Sequence, residues 1–289
     1  MKHNKLHDFL LVAPGYLIYT IFMIIPLGMC FFYSFTNWDG ISKKFKMIGL
    51  RNFERLFQDA SFFNALKVTL IITVITVLIY NVLGVFLAVV LNRKNRVCAF
   101  AKSAIFVPTV LSSVVVAFIW SYIMQTDGGV INTLLALVGI APVNFYKTPL
   151  DTIVMISVII SWNGLGLFLV IYVATLNTIP QELMEAAEVD GASGFQRFFR
   201  ITLPLMMPGI TINSILSIAG GLKQYDHVKV ITGGGPGGAT QTITLLSVEK
   251  AFEYNRRGYS SAIILVLFVM ILIVSAIQLS ITKRREVKY

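Results

Sequence analysis

Charge is the scarcest property of this 289-residue chain: Asp, Glu, Lys and Arg make up 13% of it, against 56% hydrophobic residues. Soluble domains carry roughly 25% charged residues, so neither one large soluble domain nor two small ones fits this composition. The apolar content likewise excludes a disordered chain. Cysteine is limited to Cys30 and Cys98, too few for a disulfide framework. The three histidines, His3, His7 and His227, have no partner at metal-ligand spacing, so no metal site is expected. No nucleophile with an acid-base pair stands out, and no G-x-x-x-x-G-K-[ST] run occurs. A chain without that loop does not cradle nucleotide phosphates in the P-loop manner, and any ATP it uses must be bound elsewhere. Gly233-x-Gly235-x-x-Gly238 formally matches a dinucleotide fingerprint, but Pro236 lies inside it and no β-α-β frame surrounds it. No cofactor is expected.

What is present is a set of long uncharged runs. They number 30 residues between Asp8 and Asp39, 25 between Lys67 and Arg93, 24 between Lys102 and Asp127, and 30 between Asp151 and Glu182, then 22 between Arg200 and Lys223 and 25 between Arg257 and Lys283. A helix needs about 20 apolar residues to cross a hydrocarbon core of about 30 Å. The runs therefore predict an all-α, polytopic membrane protein, a single transmembrane domain over 1–289. Its six transmembrane helices fall near 9–35, 66–91, 103–124, 152–176, 205–226 and 258–281. The run from Val130 to Ala141 is too short to cross and reads as an interfacial helix. Val230 to Val248, with its glycines and Thr232, Thr240, Gln241 and Thr242, reads as an aqueous loop, because lipid leaves such backbone unsatisfied.

Lys and Arg exceed Asp and Glu by 24 to 14, a net charge of +10, and much of the excess sits in short loops beside apolar runs. That is the pattern of a lipid-bilayer protein and not of a nucleic-acid-binding face. Six spans put 12 basic residues in 54 on the side of the termini and 10 in 87 on the other. The bias, carried most by Arg93-Lys94-Asn95-Arg96 and Lys283-Arg284-Arg285, places both termini in the cytoplasm. The first span is too long for the h-region of a signal peptide and reads as an uncleaved anchor. In this topology Cys30 and Cys98 lie on opposite sides and cannot pair.

No Asp or Glu falls at mid-membrane depth. Intramembrane carboxylates often hold the driving ion in coupled carriers, so their absence weighs against an ion-coupled carrier. Lys67 and Lys223 sit near span ends and read as snorkelling side chains. Acidic residues gather instead between the fourth and fifth spans, at Glu182, Glu185, Glu188 and Asp190. Thr178-Ile179-Pro180-Gln181 reads as a helix start, with Thr178 as N-cap and Gln181 in the capping-box position. The helix should stop at Asp190-Gly191 and a second one run from Phe195 to Leu203. An acidic, small-residue helix is poorly suited to an anionic leaflet and well suited to a basic groove on a partner protein.

Glu185-Ala186-Ala187, Asp190-Gly191-Ala192 and Ile201-Thr202-Leu203-Pro204 resemble the EAA loop, here 178–204, of ABC-importer permease subunits: E-A-A, three residues, G, nine residues, I-x-L-P. Further segments are similar to maltose-type carbohydrate permeases: Ser34-Phe35-Thr36, Gly49-Leu50-Arg51-Asn52-Phe53, Trp162-Asn163-Gly164, Thr232-Gly233-Gly234-Gly235-Pro236 and Gly258-Tyr259-Ser260-Ser261-Ala262. This likeness implies a non-catalytic transport subunit in the cell membrane, paired with a second homologous permease subunit, two cytoplasmic ATPase subunits and an extracytoplasmic solute-binding protein. By the same likeness Glu185, Ala186, Ala187, Asp190 and Gly191 couple the chain to the ATPase, and Asn163, Gly164, Gly221 and Gln224 line the solute path. Asn163 as an interhelical hydrogen bond and Gly220-Gly221 as a packing contact stand as the alternative. The solute is expected to be a sugar or oligosaccharide, with a polyamine or phosphate ester as the other importer cargo.

Overall fold

The structure is a computed structural model describing residues 5–93 and 95–283, without the side chains of residues 5–8, 10 and 11. The expectations resting on His3, the His7 side chain, Lys94, Arg284 and Arg285 lie outside the described residues. In chain order the elements that matter are α1 (Val12–Ser34), α2 (Arg51–Leu56), α3 (Ala60–Leu91), α4 (Arg96–Val110), α5 (Ser113–Ile123) and α6 (Val130–Leu137). They are followed by α7 (Pro149–Leu176), α8 (Gln181–Val189), α9 (Gly194–Leu205), α10 (Met207–Leu222), α11 (Asp226–Ile231), α12 (Ile243–Phe252) and α13 (Arg257–Lys283). Helices α1, α3, α7 and α13 are each long and apolar enough to cross a membrane, and the count reaches six if the bent pairs α4–α5 and α9–α11 each form one span.

The spans expected near 103–124 and 205–226 correspond to those two bent pairs. The first turns through 101° between Val110 and Ser113. Pro108 lies in the last turn of α4, which the Leu111 N–H closes on the Pro108 carbonyl at 3.2 Å; Leu111 and Ser112 leave helical geometry, and the Val116 N–H restarts the helix on the Ser112 carbonyl at 3.0 Å. The second bends by 65° beside Met206, flanked by Pro204 and Pro208. Its fifth-span helix ends at Leu222, because Tyr225 leaves helical geometry before α11 begins.

The described residues fall into two compact units, 5–62 with 246–269 and 63–245 with 270–283. In the second, α7 is the axis. It starts with Thr148 accepting from the Asp151 N–H at 3.2 Å and Pro149 in its first turn. It is apolar on all sides, packing against its neighbours while leaving Val154, Val158, Leu167 and Val170 exposed. Ile153, Ile156 and Ile160 pack with Val68, Ile72, Val228 and Leu245; lower down, Leu169, Tyr172 and Leu176 pack with Val85, Ala88 and Met206. Helix α6 ends at Leu137, earlier than Ala141, because Gly139 at φ +75° reverses the chain and returns the Ile140 N–H to the Leu135 carbonyl.

The stretch 230–248 is not the open aqueous loop expected. Its second half is helical from Ile243, and Thr240 and Thr242 are fully buried. The side chains the sequence places there satisfy the glycine-rich backbone. Thr240 Oγ1 donates to the Gly235 carbonyl at 2.8 Å, the Gly234 N–H donates to Thr232 Oγ1 at 3.1 Å, and Asn64 Nδ2 donates to the Gly238 carbonyl at 2.7 Å.

In the first unit, the segments Ser34-Phe35-Thr36, Gly49–Phe53 and Gly258–Ala262 interlock. Asn52, 2% exposed, donates its amide to the Ser34 and Thr36 carbonyls, each at 2.8 Å. Thr36 forms an antiparallel bridge with Met47, and Phe35 meets Phe53 with ring centroids 5.4 Å apart. The Gly258 N–H donates to the Trp38 carbonyl at 2.8 Å, and a Cβ on Gly258 would collide with the Thr36 carbonyl. Ser247 and Ser260 are in hydroxyl contact at 2.8 Å.

Candidate coupling loop and solute path

Helix α8 begins at Gln181 with Pro180, not Thr178, at the N-cap position. The Thr178 hydroxyl turns back to the Thr175 carbonyl at 2.8 Å and closes the end of α7, while Gln181 Nε2 donates to Glu185 Oε1 at 2.7 Å. The capping box lies one helix later, where Ser193 and Gln196 satisfy each other's backbone N–H groups at the start of α9. Helix α8 stops as expected. Gly191 sits at φ +77°, its N–H donates to the Glu188 carbonyl at 3.0 Å, and the Ala192 N–H donates to the Ala187 carbonyl at 2.9 Å. This pair of bonds is the Schellman closure, which needs a left-handed residue and hence favours glycine.

The reversal folds α8 onto α9. Ala187 is buried and Met184 half-buried, with the Thr202 hydroxyl 3.9 Å from Met184 Sδ. Arg197 Nη1 and Glu188 Oε2 pair at 2.7 Å across the hairpin. Between Phe198 and Thr202 the backbone widens into a π-helical turn, so the second helix runs on to Leu205 and does not end at Leu203. The outward edge carries Glu182, Leu183, Glu185, Ala186, Val189 and Asp190, all exposed. Val189 is 88% exposed and Phe195 74%, so the edge is apolar as well as acidic.

The four solute-path candidates fall at two levels of α3. Asn163 donates its amide at 2.6 Å to the Pro108 carbonyl, which also accepts the Leu111 N–H at the break between α4 and α5. A Cβ on Gly164 would run into the Tyr80 hydroxyl, which itself donates to the Ile160 carbonyl at 2.9 Å. A Cβ on Gly221 would lie 2.9 Å from the Thr73 Cα, seven positions earlier on α3, or about 10 Å along a helix. Gln224 is half-buried and its carbonyl accepts from the Thr242 hydroxyl at 2.8 Å. The structure thus brings Asn163 and Gly164 together, and Gly221 and Gln224 together, without joining the pairs. Trp162, 43% exposed, meets Trp120 edge-on at 5.4 Å.

Two polar constellations escaped the sequence. Asn81, in a π-helical turn of α3, accepts from Tyr172 Oη at 2.6 Å and Ser214 Oγ at 3.0 Å, tying α3, α7 and α10 together. The only signal was an isolated amide in a long apolar run. In the first unit, a cavity of about 510 Å³ is lined by Asn37, Trp38, Arg55, Asp59, Arg256 and Tyr259, among others. Tyr259 Oη donates to Asp59 Oδ2 at 2.7 Å. Burial, the largest influence on that carboxyl, pushes its pKa up. The Tyr259 hydroxyl, the Ser61 N–H and hydroxyl and the Lys250 charge together bring it below the usual carboxylate value. Separations of some 200 residues hide such a site from sequence patterns. Among the described residues no three His, Cys, Asp or Glu side chains gather as metal ligands.

Residues 80–287 match the family described as the inner membrane component of binding-protein-dependent transport systems. The chain belongs to this family. It is also similar over nearly its full length to individual permeases. It is 31% identical to the multiple sugar-binding transport system permease protein MsmF of Streptococcus mutans, over 98% of both chains. It is 32% identical to the probable starch degradation products transport system permease protein AmyD of Thermoanaerobacterium thermosulfurigenes, over 99% of this chain and 97% of that one. In fold it superposes on a chain of a bacterial ABC transporter involved in the import of the acidic polysaccharide alginate. That match has a TM-score of 0.83 at 22% identity and covers 96% of each chain. With its long apolar helices, the chain is a multi-pass membrane member of this transport family.

Proposed function

We propose that this chain is the permease subunit of an ATP-driven carbohydrate importer and that the α8–α9 hairpin is where the motor engages it. The observation that carries the reading is the hairpin's division of labour. Ala187, Gly191 and the Glu188–Arg197 pair hold it closed, while Glu185, Ala186, Val189 and Asp190 face outward. A slim edge bearing carboxylates and an exposed valine fits a cleft with basic and apolar walls on an ATPase subunit. In this reading the hairpin and both termini lie in the cytoplasm, ATP is hydrolysed on two separate ATPase subunits, and a second permease subunit completes the path. A solute-binding protein delivers cargo from outside. The sugar-related names of the relatives support a carbohydrate cargo. Asn163, Gly164, Gly221 and Gln224 would act mainly by shaping the helices around the path, leaving much of the sugar contact to the second permease.

The test is co-isolation with uptake. Tagged chain should bring down two ATPase chains and a second permease, and uptake should collapse on ATP depletion but survive an uncoupler. Glu185→Lys reverses a charge-assisted contact of about 1.5–3 kcal/mol. It should cut uptake at least tenfold while leaving the chain folded in the membrane. Unimpaired uptake by Glu185→Lys would remove the hairpin from the coupling pathway.

A further inference from the structure

Beyond the hairpin and the solute path, the second unit contains a basic cavity of about 470 Å³, lined by Asn92, Arg93, Asn95, Arg96, Ala99, Lys102 and Asn177. Three cations share it, no acidic residue lines it, and none of the three has an ion-pair partner among the described residues. Lys102 is half-buried. Arg96, Ala99 and Lys102 recur every three residues, so they stand on one face of α4. The backbone adds to the positive field. Arg96 opens α4, whose first turn holds no acidic residue, and Asn95 Oδ1 is occupied as its cap, accepting from the Cys98 N–H at 2.7 Å. Cations gathered at the positive end of a helix repel it and one another unless an anion is present. Asn177, the C-cap of α7, brings a weakly negative helix end to the opposite wall, which offsets only part of three full charges.

The neighbouring face of α4 identifies the anion. Val97 and Phe100 are each 76% exposed and Val107 59% exposed, an apolar stripe turned away from the protein. A stripe of that kind belongs against hydrocarbon, so the cavity opens at the level where lipid headgroups lie. We propose that this cavity binds the phosphodiester headgroup of an anionic phospholipid. The arginine forks take the phosphate oxygens in bidentate fashion, Lys102 supplies a point charge, and the Asn92 and Asn177 amides are available to headgroup hydroxyls. The shared chemistry is a phosphate group, and free inorganic phosphate is the other source of it.

The assay uses the full chain with its co-isolated subunits in nanodiscs of equimolar phosphatidylglycerol and phosphatidylcholine, with retained lipid counted by native mass spectrometry. Wild type should retain phosphatidylglycerol preferentially. The triple variant Arg93→Gln, Arg96→Gln, Lys102→Gln should lose that preference at least about tenfold, whereas Lys43→Gln with Lys44→Gln should not. Should the triple variant fail to fold, wild type alone decides: a photoactivatable phosphatidylglycerol should cross-link within residues 92–102, and cross-links spread elsewhere overturn the proposal. Displacement of the lipid by millimolar inorganic phosphate, or phosphate binding without any lipid preference, would assign the cavity to a free anion instead. Unchanged lipid retention in the triple variant, with loss of the ATPase chains, would make it a protein-docking site.

Discussion

Gly191 carries the sharpest prediction about coupling, because its contribution separates into backbone and side-chain parts. Its φ of +77° lies in the left-handed region, and an added Cβ would meet nothing within 4 Å. Sterics with neighbours therefore cost nothing, and only the backbone preference matters. For Gly191→Ala that preference costs about 1 kcal/mol, or about a fivefold shift against the closed hairpin. Gly191→Asn, which tolerates the left-handed region, should cost less. Gly191→Pro fixes φ near −65° and removes the N–H that donates to Glu188, so the adjoining Ala192–Ala187 bond cannot form either. Two bonds at about 1 kcal/mol each and an incompatible φ give a loss of at least about 3 kcal/mol, more than a hundredfold. ATP-dependent uptake in proteoliposomes, normalised to folded permease and followed by the amount of co-isolated ATPase, should fall in the order wild type, Asn, Ala, Pro. If the proline variant transports as well as the alanine variant, the hairpin reversal is not part of the coupling path.

Asn163→Ala should lower thermal stability by about 1–3 kcal/mol, because the Pro108 carbonyl loses the donor held at 2.6 Å. A raised KM for solute with an unchanged melting temperature would show instead that Asn163 serves the solute directly. Gly221→Ala should destabilise by about 1–3 kcal/mol, since its Cβ would lie 2.9 Å from backbone, whereas the open Gly220 position should tolerate alanine. Equal melting temperatures for the two variants would refute that contrast. Asp59 has a lowered pKa in the folded state, so its stabilising contribution is complete above its ordinary value and is lost as pH falls through the folded value. The carboxylate is half-buried and still meets solvent, so the effect is below about 1 kcal/mol. Melting curves from about pH 6 to about pH 3 should show a smaller acid loss in Asp59→Asn than in wild type.

The spans were legible because hydrocarbon tolerates so little charge that gaps between charged residues mark the helices directly. The breaks inside them were harder to read. Pro108 followed by Ser112-Ser113 pointed to the turn between α4 and α5, yet an uncharged run scans as one helix regardless of its internal punctuation. Among the buried and half-buried polar residues, Thr240 fell in the expected aqueous loop, Asn52 in a segment similar to carbohydrate permeases, and Asn81 in an otherwise apolar run that singled out no role for it. In the structure they hold backbone carbonyls, neighbouring helices or a glycine-rich turn in place. Where water is scarce, every backbone group freed by a bend needs such a partner, and the partner comes from far along the chain. That is why the 510 Å³ cavity, joining Arg55 and Asp59 with Arg256 and Tyr259, left no local trace.

The motif between the fourth and fifth spans shows why a pattern is easier to find than to assign. Its fixed positions serve two different demands. Ala187 must be small because it is buried between α8 and α9, and Gly191 must be glycine-like because the chain reverses there with positive φ. Both constraints are internal and would hold in an isolated hairpin. Glu185 and Ala186 are exposed, and the hairpin's own contacts do not require them beyond the Gln181 amide bond. An internal constraint is relieved by any substitution that restores the local geometry; an outward one is relieved only by a matching change on the partner. A charge reversal at Glu185 should therefore be rescued by a reciprocal reversal on the ATPase cleft, whereas no change on the ATPase should rescue Gly191→Pro. Failure of every reciprocal change to rescue Glu185→Lys, in a complex that still assembles, would place the coupling contact elsewhere on the exposed edge.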